Sequence, residues 1–330
     1  MKKLELNGSF VISLDFELMW GVRDKRTIED YGDAIIGVKA AIVKMLESFK
    51  KHDISATFAT VGFLFNKNKS QLLQNLPSEK VNYDDKNLSP YPDISTYLTE
   101  STNNDPYYFG YSLLKSIKES GCHEVSTHTY CHYYCLEPGQ TLDMFEADLE
   151  KAVEIADREG VQIKSIVFPR NQYSPKYIKI CEKYGLTCYR GNEEHFIYKS
   201  ANGNEQTAFR RALRLIDGYF NITGYHCYQY SSIKNTYPHN IPSSRFLRPY
   251  NKKLKFLENQ KLRRITRAMT YAAKNNRVYH LWWHPHNFGR NTDENIVMLE
   301  KILEHYQFLK LKYQFQSITM KDLSKHLITK

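Results

Sequence analysis

The sequence lacks any apolar run of about 20 residues, and this absence argues against a membrane-spanning helix. Its first apolar stretch, from Phe10 to Trp20, contains Asp15 and Glu17, which the apolar core of a secretory signal would not tolerate. We therefore expect a cytoplasmic protein with no transmembrane segment. Its six cysteines are then expected to be free thiols, because disulfides are rare in reducing compartments.

Recognisable nucleic-acid-binding motifs and internal repeats are also missing. The chain has 330 residues, and its 46 basic and 36 acidic side chains give a formal charge of +10. A basic surface favours anionic partners such as phosphates or anionic lipids. We expect a phosphate-bearing or lipid-linked substrate, peripheral contact with a membrane surface, and no binding of nucleic acid.

Apolar segments with strand and helix periodicity alternate along the chain, which predicts an α/β protein with a parallel sheet covered by helices. About seven strand–helix units fit into one domain over residues 1–330, and Pro- and Asn-rich insertions are expected at about 76–111 and 221–251. The predicted strands are 10–14, 56–63, 123–126, 165–168, 186–189 and 278–283. The first predicted helix is capped by Asp33 and runs to about residue 49. The other predicted helices are 142–158, 176–183, 255–274 and 291–310.

Two carboxylates stand at the end of the first predicted strand. Asp15 and Glu17 are two residues apart, so on a strand they point to the same face. Because the preceding strand reads as buried, a solvent-exposed pair is the weaker interpretation. The spacing indicates a metal ligand together with a general base.

A pair of histidines follows the third predicted strand. His128 and His132 are four residues apart and would share one face if the segment were helical, which is a metal-binding spacing. Cys131 and Cys135 would then lie on that face as well, so a structural zinc site is the alternative. That alternative would leave the two carboxylates unexplained.

Two further strands end in side chains suited to catalysis. Arg170 follows the fourth strand and could hold a carboxylate ionised. His284 and His286 follow the strand that ends in Trp282 and Trp283, and histidine is suited to proton transfer near neutral pH. Each of these groups follows a predicted strand: the two carboxylates, the histidine pair, the arginine and the histidine late in the chain. Together they indicate a mononuclear metal hydrolase.

These residues resemble the motifs of the polysaccharide deacetylase superfamily, the chitooligosaccharide-deacetylase or carbohydrate esterase family four group. The resemblance spans about Phe10 to Gly289 in the family's order, and the segment from Ala56 to Gly62 resembles the family's second strand. Four further motifs carry the resemblance. They are Ser13-Leu14-Asp15-Phe16-Glu17, the pair His128 and His132, Arg170-Asn171-Gln172-Tyr173 with Gln172 where the family has proline, and Leu281-Trp282-Trp283-His284.

The resemblance implies an irregular (β/α) barrel and a role for each matching residue. Asp15 matches the catalytic base, Arg170 the arginine that orients it, and His284 the general acid. The backbone N–H of Tyr173 would face the oxyanion. His128 and His132 match ligands of one divalent metal ion, which we expect to be zinc, with cobalt or manganese as alternatives.

One departure from the family motif affects the metal site. Phe16 stands where the family has a second aspartate, so we assign Glu17 as the third metal ligand. Asp15 as the ligand, with another group as the base, is the alternative. His286 is an alternative to His284, and Asp217 is a weak candidate for the family's acidic fourth motif.

The expected reaction is removal of an N-acyl group, most simply N-acetyl, from an amino sugar or a precursor of a surface polysaccharide. A deformylase or cyclic-amide hydrolase on the same scaffold is the second interpretation. A catalytically inactive sugar-binding protein is the third, and the missing aspartate is its main support.

Overall fold

A computed structural model describes residues 7–92, 94, 98, 105–203, 205 and 207–328 of the chain. Within this part, nine strands form one sheet in which every pairing of strands is parallel. The strands are β1 (Ser9–Phe16), β2 (Thr57–Thr60), β3 (Glu124–Thr127), β4 (Ser165–Ile166), β5 (Cys188–Tyr189), β6 (His239–Asn240), β7 (Arg245–Phe246), β8 (Val278–Trp283) and β9 (Gln316–Ser317).

The sheet curls into an irregular (β/α) barrel, which confirms the predicted fold class. Its strand order is β6-β5-β4-β3-β2-β1-β8-β7, and β9 pairs with β1 beside this path. The chain between β6 and β7 bridges the two ends of the sheet. The N–H of Ser243 donates to the carbonyl of Gly191 next to β5, and the N–H of Ser244 donates to the carbonyl of His280 in β8.

Helices cover the sheet, and their bounds follow the apolar periodicity of the sequence. They are α1 (Ile28–Ile36), α2 (Val38–Lys51), α3 (Lys69–Gln74), α4 (Asp105–Tyr108), α5 (Tyr111–Glu119), α6 (Leu142–Arg158), α7 (Pro175–Lys183), α8 (Ala208–Asp217), α9 (Tyr230–Lys234), α10 (Glu258–Lys274), α11 (Thr292–Tyr313) and α12 (Met320–Ile328). No helix in the described part of the chain combines the length and the apolar character needed to cross a bilayer.

The structure corrects two local predictions. The helix expected to start at Asp33 begins at Ile28, because Thr27 forms a capping box with Asp30. It is also divided at Gly37, where an added Cβ would lie 2.0 Å from the carbonyl oxygen of Gly289. The stretch 221–251, expected as a loop insertion, contains α9, β6 and β7.

Strand β1 is an interior strand of the sheet and positions the two carboxylates. It pairs with β2 on one side and β8 on the other, and all eight of its residues are buried. Buried parallel strands are apolar on both faces, as in the run from Phe10 to Ile12. Asp15 and Glu17 therefore stand at the carboxyl end of the barrel, where folds of this class place their chemistry.

Candidate active site

Five ionisable side chains meet at the carboxyl ends of four strands. Asp15 lies near the end of β1 and Glu17 directly follows that strand, while His128, Arg190 and His284 directly follow β3, β5 and β8. The first four are almost completely buried, whereas the His284 side chain is 24% exposed. Burying this many charged groups is costly unless they compensate one another. Their contacts show how they do so.

Glu17 lies at the centre of a cluster of histidines. Its Oε2 is 3.0 Å from Nε2 of His132 and 3.3 Å from Nε2 of His128. Its Oε1 is 3.0 Å from Nε2 of His286 and 3.8 Å from Nε2 of His284. Burial would raise the pKa of Glu17, but the facing histidines hold it well below its ordinary value.

Hydrogen bonds to the far side of each ring orient these histidines. Nδ1 of His128 donates to the carbonyl of Val167 over 2.7 Å, so Nε2 is the ring nitrogen that faces Glu17. Nδ1 of His132 lies 3.2 Å from the hydroxyl of Tyr134. Burial lowers the pKa of His132 to about 4, although the charge of Glu17 opposes this, so the ring is neutral at pH 7.

Glu17, His128 and His132 form a donor set that fits a divalent cation. Their ligand atoms lie within 4.8 Å of one another, and so do those of Glu17, His284 and His286. Nitrogen and oxygen atoms about 2.0–2.1 Å from a tetrahedral zinc ion lie about 3.3 Å apart, close to the separations from Glu17 to His128 and His132. Neutral imidazoles and an ionised carboxylate are also the protonation states that bind metal.

Asp15 is held by Arg190 through a two-pronged salt bridge. Nη1 and Nη2 of the guanidinium donate to Oδ1 and Oδ2 over 2.7 and 2.8 Å. Burial would raise the pKa of Asp15, but the charge and hydrogen bonds of Arg190 lower it below its ordinary value. Asp15 Oδ2 lies 3.7 Å from Nε2 of His284. An ionised carboxylate and an imidazole thus stand side by side.

Arg170 does not contact Asp15, so its predicted role is wrong. Its guanidinium forms salt bridges with Asp24 and Glu137 and lies 4.0 Å from the ring centre of Tyr134. The physical reason is local, since Arg170 has a φ of 54°, a left-handed conformation within the turn after β4. Arg190 directly follows the predicted strand 186–189, and this position after a strand is the sequence signal that it shares with the other site residues.

The two histidines that we expect to bind a metal ion, His128 and His132, lie on a loop rather than a helix. Thr129 and His132 have φ values of 63° and 64°, which a continuous right-handed helix cannot contain. Asp148 of α6 holds the loop, because its two carboxylate oxygens accept from the N–H groups of Tyr130 and Cys131 over 2.7 and 3.0 Å. Sequence spacing gives no signal for this tertiary contact.

The other predicted candidates have structural contacts. The Tyr173 hydroxyl accepts from the N–H of Asn192 over 3.2 Å, and the role of its backbone N–H as an oxyanion donor stays a prediction. Asp217 forms a salt bridge with Arg245 instead of contacting the histidines. Cys131 and Cys135 are free, buried thiols and belong to neither of the two candidate metal-binding groups in the described residues.

The fold and the site define a class: a parallel (β/α) barrel with a histidine–carboxylate cluster at the carboxyl ends of its strands. Residues 30–189 match the family model described as polysaccharide deacetylase. This segment of the chain therefore matches a polysaccharide deacetylase domain. The match includes His128, His132 and Arg170, whereas Asp15, Glu17, Arg190 and His284 lie outside it. None of the curated proteins matches the sequence.

Solved structures share the fold at low sequence identity. A Mycobacterium smegmatis protein assigned as a polysaccharide deacetylase aligns with a TM-score of 0.63 and 10% identity, over 100% of this chain and 93% of that one. A Pseudomonas aeruginosa PAO1 protein with the same assignment gives 0.54 and 11%, over 98% and 90%. Puue allantoinase gives 0.52 and 11%, over 97% and 89%. At these identities the likeness shows the fold.

Proposed function

We propose that this protein is a metal-dependent hydrolase that removes an N-acyl group, most simply acetyl, from an amino sugar. One observation carries the proposal: a buried, ionised Asp15 lies 3.7 Å from His284, next to the donor set of Glu17, His128 and His132. The match of residues 30–189 to a polysaccharide deacetylase domain supports the same reaction class.

Glu17, His128 and His132 would hold the metal ion. A divalent ion bound there supplies Lewis-acid chemistry, which activates water and polarises an acyl carbonyl. We expect zinc, with cobalt and manganese as alternatives, because two imidazoles and one carboxylate suit each of these ions.

Asp15 and His284 would move the protons of the reaction. Asp15, fixed by Arg190, is the base that takes a proton from the attacking water. His284 donates a proton to the departing amine. Burial lowers the pKa of His284, although Glu17 and Asp15 oppose this, so its protonated form is a strong donor. His286, which is almost fully buried, holds Glu17 and is the less accessible of the two histidines.

An inactive sugar-binding protein is the less favoured interpretation of this site. Such a protein has no need to keep a base, an acid and a set of metal-binding side chains in contact. Phe16, which replaces the family's second aspartate, is fully buried in the core, and Glu17 occupies the position facing the histidines instead.

Release of acetate from N-acetylated sugars tests the proposal. We expect acetate and free amino groups in equal amounts from N-acetylglucosamine derivatives, loss of activity on chelation, and recovery with zinc or cobalt. N-formyl and cyclic-amide substrates run in parallel would identify the alternative hydrolases. Binding of the sugars without any product, with each metal supplied, would contradict the proposal and favour the binding protein.

A further inference from the structure

A basic cavity lies directly beside the proposed catalytic groups. It has a volume of about 180 Å³, and its wall includes Asn171, Phe246 and Trp282. The Trp282 ring centre lies 4.2 Å from the guanidinium of Arg190, and the rings of Phe246 and Trp282 lie 5.7 and 5.6 Å from that of His284. The cavity therefore continues the site on the side of the proposed general acid.

The charged residues lining this cavity are predominantly positive. Five are basic (Arg170, Lys199, Arg214, Arg245 and Arg248), and Glu193 is acidic. Neighbouring carboxylates already compensate Arg170 and Arg245. The side chains of Lys199 and Arg248 make no salt bridge within the described part of the chain.

Arg248 is a partly buried cation that forms no salt bridge with the described residues, although the more distant Asp217 still acts on its charge. Its guanidinium lies 5.9 Å from the ring centre of Phe246. The backbone of Gly218 packs against the same side chain so closely that a Cβ added to Gly218 would lie 2.8 Å from Nε of Arg248. Burying a guanidinium without a carboxylate costs free energy that a bound anion would offset.

Unpaired polar atoms inside the cavity wall add to this argument. Arg245 is 3% exposed, and its Nη2 has no hydrogen-bond partner among the residues that the structure describes. Oε1 of the buried Glu193 and Oδ1 of Asn192 also have none. Buried polar atoms are usually satisfied, so a lining with both unpaired donors and unpaired acceptors indicates a ligand with matching groups. A sugar phosphate offers hydroxyl donors together with phosphate acceptors.

We infer that this cavity is an anion subsite, which binds a phosphate or diphosphate attached to the amino sugar that is deacylated. This inference rests on the proposed function, because the role of His284 sets the direction in which the bound sugar extends. If His284 protonates the departing amine, the sugar extends from His284 across Phe246 and Trp282, whose rings can pack against it. Its anionic substituent then reaches Arg248 and Lys199.

Binding measured without turnover tests the subsite. The dissociation constants of N-acetylglucosamine 1-phosphate and methyl N-acetylglucosaminide are compared by calorimetry on the metal-loaded protein. We expect the phosphate to bind at least about tenfold more tightly, since a charge-assisted contact contributes that much. Arg248→Ala should abolish the preference, Arg248→Lys should keep part of it, and Lys199→Ala should reduce it. Arg267→Ala, which removes an exposed arginine from α10, should preserve it.

The outcomes separate this inference from the proposed function. Equal affinity for the charged and neutral sugars, or a preference that survives both Arg248→Ala and Lys199→Ala, would overturn the subsite even if neutral sugars are deacetylated. Arg248-dependent binding of the phosphate without deacylation of any sugar would support the subsite while the proposed function fails.

Two further ligands identify the source of the phosphate. A nucleoside-diphosphate N-acetylglucosamine and the same sugar diphosphate on a short prenyl chain are compared in the same assay. The prenyl ligand is included because Phe209 and Ile216 are exposed on α8, the helix that contributes Arg214 to the cavity. If one of these two ligands binds more tightly than the other and loses that advantage in Arg248→Ala, the result supports the subsite and identifies that ligand as the source of the phosphate.

Discussion

Asp15→Asn is expected to lower kcat by about a thousandfold while the protein still binds its metal ion. Asparagine has nearly the same shape as aspartate and can still accept one hydrogen bond from Arg190, but it cannot take a proton from water. Turnover of an N-acetylated sugar and metal content are measured on the same preparation. A melting curve checks the fold, because Arg190 loses its buried counter-charge.

The reciprocal variant decides between the two carboxylates. Glu17→Gln should lose the metal, because Oε2 of Glu17 is the oxygen that faces both His128 and His132. Asp53→Asn, an exposed aspartate outside the cluster, serves as the control and should change neither property. Loss of metal in Asp15→Asn, with metal retained in Glu17→Gln, would mean that the two carboxylates have the opposite roles.

Arg190→Ala is expected to lower kcat/KM by about a hundredfold or more and to reduce the melting temperature. The substitution leaves Asp15 buried without its two-pronged partner, and breaking a buried ion pair costs about 3–5 kcal/mol. Arg190→Lys keeps the charge but not the fork, so part of the activity should return. Added guanidinium ion should partly rescue the alanine variant by entering the vacated space.

Arg170→Ala is the matched comparison for Arg190. With a neutral N-acetylated sugar, which carries no group for the anion subsite that Arg170 lines, the main expected effect is on stability, because Arg170 contacts Asp24 and Glu137. Guanidinium should not act through Asp15. If Arg170→Ala showed the larger loss of kcat/KM together with guanidinium rescue, and Arg190→Ala retained full activity, the assignment of Arg190 would be wrong.

The sequence reveals the long elements of this fold better than the short ones. The predicted α6 (Leu142–Arg158) and β8 (Val278–Trp283) agree with the structure residue for residue. Each has enough residues for its apolar periodicity to be seen. Strands β6, β7 and β9 have two residues each, too few to show any period, and only the neighbouring strands define them.

The same distinction applies to the site. Asp15, Glu17, His128, His132 and His284 follow or end strands, and the structure brings all five together. The choice between Arg170 and Arg190 depends on a left-handed backbone at Arg170, which a non-glycine residue adopts rarely and without a sequence signal. The role of Asp148 depends on the packing of a helix against a loop, which spacing cannot show.

Metal content of the purified protein tests the central claim most directly. Elemental analysis should find about one divalent ion per chain in the wild type, no ion in His128→Ala, and the wild-type amount in His305→Ala, whose histidine lies on α11 outside both histidine–carboxylate groups. A wild-type protein that takes up no ion after dialysis against zinc or cobalt, or a His128→Ala variant that keeps the full amount, would contradict the assignment of this site as a metal centre.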